Sequence, residues 1–105
     1  MMKQYPCPLD VTVPVVEIPF GEDATTLAFL VHAGETGVIV LNSNLPKEWD
    51  THAHRMAIFA HELGHLHCGV EEEAAERWAI NKLRDLEIGE AVKLLIERGI
   101  VDGCA

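Results

Sequence analysis

The sequence predicts an α+β fold: a small sheet, antiparallel or mixed, followed by helices. Two observations carry this. Between residues 11 and 42 the chain is rich in β-branched runs broken by turn residues, and from about residue 48 its apolar residues recur at helical spacing. A third observation, the pentad His61-Glu62-Leu63-Gly64-His65, falls inside the first helical stretch and gives it a chemistry.

Residues 1–10 hold Pro6 and Pro8 and read as an extended arm. Val11 to Ile18 is β-branched and reads as a strand, with Pro14 at an edge or a break because it has no N–H to donate. Pro19 to Asp23 reads as a turn. Leu27–His32 and Gly37–Asn42 are the clearest strands, and the Ala33–Gly37 connection suits a hairpin. Asn42, Ser43 and Asn44 then end the sheet. One of them, or Asp50-Thr51, would cap the next helix.

That helix is expected over about residues 48–67, with Met56, Ala57, Ala60, Leu63, Gly64 and Leu66 as its apolar positions and Gly69 just past its end. The acidic run Glu71-Glu72-Glu73 suits the start of a second helix, because negative charge complements the helix dipole. Its buried stripe is expected to be Ala75, Trp78, Ala79, Leu83 and Leu86. A third helix, Glu90 to Arg98, would bury Ala91, Leu94 and Leu95 and stop at Gly99.

Composition narrows the function. The chain has 105 residues, the size of one small domain spanning 1–105. Its 8 Lys and Arg against 17 Asp and Glu give a net charge of −9. That charge argues against nucleic acid and anionic membranes as partners, and it would suit a cationic peptide or protein better. Cys7, Cys68 and Cys104 are odd in number and form no C-x-x-C pair, so a reducing cytoplasm is expected. The first residues show no apolar signal segment, and no apolar run approaches the roughly 18 residues of a membrane span.

The pentad reads H-E-x-x-H. Histidines four apart lie about 40° apart around a helix and about 6 Å apart along it, so both imidazoles can reach one ion. Glu62, next to the first of them, can reach a water on that ion and act as general base. A catalytic zinc needs a third protein ligand. The downstream acids Glu71, Glu72, Glu73 and Glu76 are the candidates, and Glu72 and Glu76 share a helix face. The competing reading of this cluster is a solvated first turn of helix. Gly64 would let another element pack closely beside the metal.

Other residues carry weaker signals. His54 lies about 10 Å from His61 along the axis and cannot share the ion; surface is its default, as it is for His32, His52 and His67. Cys68 is three residues past His65, but a bystander thiol is the simpler reading. Nothing places Tyr5, a possible oxyanion donor, near the metal. Trp49 and Trp78 read as packing residues.

Two stretches carry a resemblance. Ala60-His61-Glu62-Leu63-Gly64-His65 matches the A-H-E-L-G-H signature of the ImmA/IrrE-type metallopeptidases. Glu72 to Ala79 resembles that family's E-x-x-A-[ND]-x-[FW]-A helix, and Ile80 to Leu83 continues it. The strand ending Leu41-Asn42 also resembles the one that leads into the family's active-site helix, so the likeness covers about residues 37–84. It implies a minimal zincin-like domain in which His61, His65 and Glu72 bind Zn2+ and Glu62 is the base. It also implies a protein substrate such as a helix-turn-helix transcriptional repressor. Glu76 departs from the pattern, standing where Asn or Asp is usual, and the segment from His65 to Glu72 is short. Fe2+ or Mn2+ also suits two histidines and a carboxylate. An extended substrate is expected to add to Val38–Leu41, taken as an edge strand. The alternative to an enzyme is a metal-binding module that sequesters a regulator without cutting it.

Overall fold

The computed structural model describes residues 2–20, 26–33 and 36–98. Its elements are β1 (Lys3–Cys7), β2 (Asp10–Ile18), β3 (Ala28–Ala33), β4 (Thr36–Asn42), a 3-10 turn at Lys47–Trp49, α1 (His52–Cys68), α2 (Glu72–Asp85) and α3 (Gly89–Arg98). The α+β expectation holds, with a mixed sheet followed by helices. The expected hairpin residues Gly34 and Glu35, most of the expected turn up to Asp23, the helix stop at Gly99, and Cys104 lie outside the described residues.

The strand order is β1-β2-β4-β3. β1 and β2 are antiparallel, β2 and β4 run parallel from Val15↔Ile39 to Ile18↔Asn42, and β3 and β4 are antiparallel. This corrects two expectations. The N-terminal arm is a strand: Cys7 and Leu9 are buried and draw it onto the sheet. Its Pro6 sits opposite Pro14, with an irregular register between Pro6 and Cys7, and β1 is an edge strand that tolerates a missing N–H. The ladder of β2 with β4 begins only at Val15, so Pro14 does stand at a break.

The second correction concerns Val38–Leu41. That segment lies in β4, which is bonded on both sides and offers no edge to a substrate. Ile39, Val40 and Leu41 are all buried, on alternate faces, which is the pattern of an interior strand. The free edges belong to β1 and β3.

Helix α1 packs against β3, α2 and α3. Val13, Val15, Ile39 and Leu41 from the sheet meet Met56, Phe59 and Leu63 of α1, with Leu83, Ala91 and Leu95 from α2 and α3 completing the core. Helix α1 starts at His52, not at 48, because Thr51 takes an extended conformation and its hydroxyl accepts the backbone N–H of His54. Buried Asn42 serves the loops instead of capping a helix: its side chain accepts the N–H groups of Phe20 and Asn44 and donates to the carbonyl of Thr26.

In α2 the stripe is Ala75, Ala79 and Leu83, with Trp78 half-buried. Leu86 falls outside it, 44% exposed, because the chain turns there through Glu87 at φ 59° and Ile88 packs in its place. In α3 Val92 is buried beside Ala91 and Leu95, and Leu94 is only half-buried. Cys7 and Cys68 are free, and burial pushes the Cys7 thiol upward in pKa.

The N-terminal half of α1 is tied to the sheet by charge. Glu17, 7% exposed, receives Arg55 at 3.4 Å, and Arg55 reaches Asp50 at 2.9 Å. Burial opposes the charge on Arg55, yet Asp50 and Glu17 hold its pKa above the usual value. Tyr5 closes the group. Burial first, then its hydrogen bond to Glu17 and that carboxylate's charge, push its phenol well above the ordinary range.

Candidate metal centre

The pentad lies in the C-terminal half of α1, where every residue from Met56 to His65 is buried. Neighbours therefore surround that half of the helix. The closest of them is α2. A Cβ built on Gly64 would stand 2.3 Å from the backbone oxygen of Ala75. Only glycine permits this approach, and the approach brings the N-terminus of α2 over the two histidines.

The Nε2 atoms of His61 and His65 are 3.2 Å apart. The Glu72 carboxylate faces both, with one oxygen 3.5 Å from His61 Nε2 and the other 3.3 Å from His65 Nε2. Donors bound tetrahedrally at the usual zinc distances of about 2.0–2.1 Å would themselves be about 3.3–3.4 Å apart. The donor set therefore fits one small divalent cation. Among the described residues these three form the cluster of His, Cys, Asp and Glu side chains able to hold a metal.

A further contact sets which nitrogen faces the cluster. His65 Nδ1 lies 2.8 Å from the carbonyl oxygen of Gly69. A carbonyl only accepts, so Nδ1 carries the hydrogen of this bond and Nε2 is the nitrogen that faces His61 and Glu72. The imidazoles are nearly inaccessible, at 3% and 2% of the side chain, while Glu72 is 61% exposed. The cluster thus has a dry floor and one side open to solvent, the arrangement a substrate-binding metal needs. Glu62 is fully buried, one residue beyond His61.

The structure brings together three of the residues marked from sequence and leaves the others elsewhere. Glu76, one turn further along α2, is not in the cluster, nor is Cys68. His67 stacks on Trp78 with ring centroids 4.6 Å apart, away from the metal face. His54 is half-buried: its ring meets Trp49 edge-on at 4.9 Å, and its Nδ1 is 2.6 Å from the Thr51 hydroxyl. His32 and His52 are exposed as expected. Tyr5 lies against Phe59 and Glu17, which removes it as an oxyanion donor. Sequence reasoning marked Gly69 as a helix end and missed its contact with His65.

A helix offering two histidines, crossed closely by a second helix offering a glutamate, is a candidate metal site of the H-E-x-x-H kind. Residues 10–96 match the Peptidase_M78 family, described as the IrrE N-terminal-like domain, and the chain belongs to that family. No curated protein and no solved structure matches the chain significantly. Among the described residues no helix is long and apolar enough to cross a membrane.

Proposed function

We propose that the chain is a zinc-dependent endopeptidase of the cytoplasm that cuts a regulatory protein, a helix-turn-helix repressor being the substrate class its family resemblance suggests. The observation that carries this reading is the mutual spacing of His61, His65 and Glu72, with Glu62 beside the first ligand. His61 and His65 donate Nε2 and Glu72 donates a carboxylate oxygen to the ion. When bound, zinc acidifies water and polarises the scissile carbonyl. Glu62 takes the proton from the attacking water and passes it to the departing amine. The buried imidazoles hold the floor of the site rigid. The exposed carboxylate leaves the approach open to an unfolded segment of substrate.

The test pairs metal analysis with cleavage of the repressor encoded nearest the gene. Glu62→Gln keeps the ion and the fold, and lowers cleavage by about 10²–10⁴-fold, the usual contribution of a general base. Glu72→Ala loses the ion, whereas Glu76→Ala keeps it. Undiminished cleavage by Glu62→Gln would sink the enzymatic reading. If the wild type bound the repressor without cutting it, a sequestering module would replace it. Metal loss in Glu76→Ala alone would move the third ligand one turn along α2.

A further inference from the structure

Gly69 ends α1 in an unusual way. A glycine after a helix commonly takes the left-handed helical conformation, with ψ near +47°. Gly69 has φ 77° and ψ −154°. This is the mirror image of extended backbone, a region that residues with an L-side chain essentially do not enter. Asparagine, the usual substitute at left-handed helix ends, gains nothing there. Among the described residues, its own chain neighbours aside, no atom lies within 4 Å of where a Cβ would be, so space is not the reason for glycine at this position.

That conformation turns both backbone groups of Gly69 onto a single residue. Its N–H donates to the carbonyl of His65 at 2.9 Å, and its own carbonyl accepts from His65 Nδ1 at 2.8 Å. An ordinary helix end supplies the first bond. Only the unusual ψ aims the second.

We propose that Gly69 is a positioning residue: its torsion-locked carbonyl holds the His65 imidazole in the Nδ1–H tautomer, with Nε2 aimed at His61 and Glu72. The proposal rests on the metal reading above and assigns the outer hydrogen bond of that site to a backbone atom. Partners of this kind typically change metal affinity by about 10–100-fold when lost. Three residues further on lies Glu72, so the same torsion also sets where the chain re-enters as α2.

The experiment compares Gly69→Ala, Gly69→Asn and a chemically ligated protein with D-alanine at the same position. A D-residue favours the conformation Gly69 adopts, and the space around it is open. Zinc affinity is read by competition titration, and the His65 tautomer by imidazole nitrogen NMR of the metal-free protein. The L-alanine and asparagine variants should lose about 10–100-fold in affinity and give a mixed tautomer. The D-alanine protein should match wild type in both readouts, which also controls for misfolding. Wild-type affinity and tautomer in Gly69→Ala would overturn the proposal, and so would an Nε2–H tautomer in the wild type. If the wild type bound zinc poorly or cleaved nothing, the peptidase reading would fail. The tautomer comparison would still decide the role of Gly69.

Discussion

The two ends of α1 are held by different means. At the N-terminal end side chains do the holding: the Thr51 cap, and Arg55 between Asp50 and buried Glu17. Each charge there meets an opposite one within the fold. At the C-terminal end backbone does the holding: Ala75 against Gly64, and the Gly69 carbonyl on His65 Nδ1. There two nitrogens and a carboxylate converge within reach of one ion. One end closes its electrostatics internally, and the other leaves donors converging on a point. The contrast teaches that a candidate metal centre is recognised by lone-pair donors from two helices brought within reach of a single ion.

The contrast can be broken at either end. The largest effect is expected at the backbone-held end. Gly64→Ala puts a methyl within 2.3 Å of a carbonyl oxygen that cannot rotate away, so α2 must shift and carry Glu72 with it. Stability should fall by about 3 kcal/mol or more, the top of the range for overpacking because a backbone oxygen stands in the way, and zinc affinity should fall with it. Unchanged zinc binding in a calorimetric titration would show that the helix crossing does not set the ligand.

The side-chain-held end should respond in stability alone. Arg55→Ala leaves Glu17 buried beside Tyr5 without its cation, at a cost of about 2–3 kcal/mol in denaturant unfolding. Adding Glu17→Gln should recover part of that loss, and zinc affinity should stay at the wild-type value in both proteins. A drop in zinc affinity would mean that the two ends are coupled through the helix.

The smallest effect is in pH dependence. The phenol of Tyr5 is raised in the folded state, by burial first and then by Glu17. A raised acid favours folding fully below the unfolded phenol value, near 10, and loses that contribution as pH rises toward the folded value. Stability should therefore decline in strongly alkaline solution, and Tyr5→Phe should flatten part of the decline. Tyr5 is the only tyrosine, so phenolate absorbance reports on it directly. A normal titration would show that the phenol is not held by Glu17.

Much of the site was legible because its geometry is local. Helical periodicity alone brings His61 and His65 onto one face, and the need for a third ligand pointed to the acids that open α2. Gly64 announced a close approach, although not to Ala75. What escaped depends on distant pairing or on torsions. The strand status of residues 3–7 is decided by burial of Cys7 and Leu9 under other elements, which no local pattern encodes. The interior place of β4 was written in Val38-Ile39-Val40-Leu41, an unbroken apolar run, but Leu27 to Val31, which leads through edge strand β3, is equally unbroken, so the run alone could not tell the two apart. Gly69 read as a helix end because sequence marks where a glycine stands and not which ψ it takes.

Glu72 is the first residue of α2, and its two partners sit on α1. An ion held by all three would therefore rivet one helix to the other across a turn of only a few residues. Occupancy then becomes a mechanical property as well as a chemical one. By mass action a hundredfold excess of metal over its dissociation constant adds about 2.7 kcal/mol to the folded state. For a small domain that is a sizeable share of the total. The chain would be stiffer with the ion bound than without it, so its resistance to proteolysis would rise with occupancy of the site.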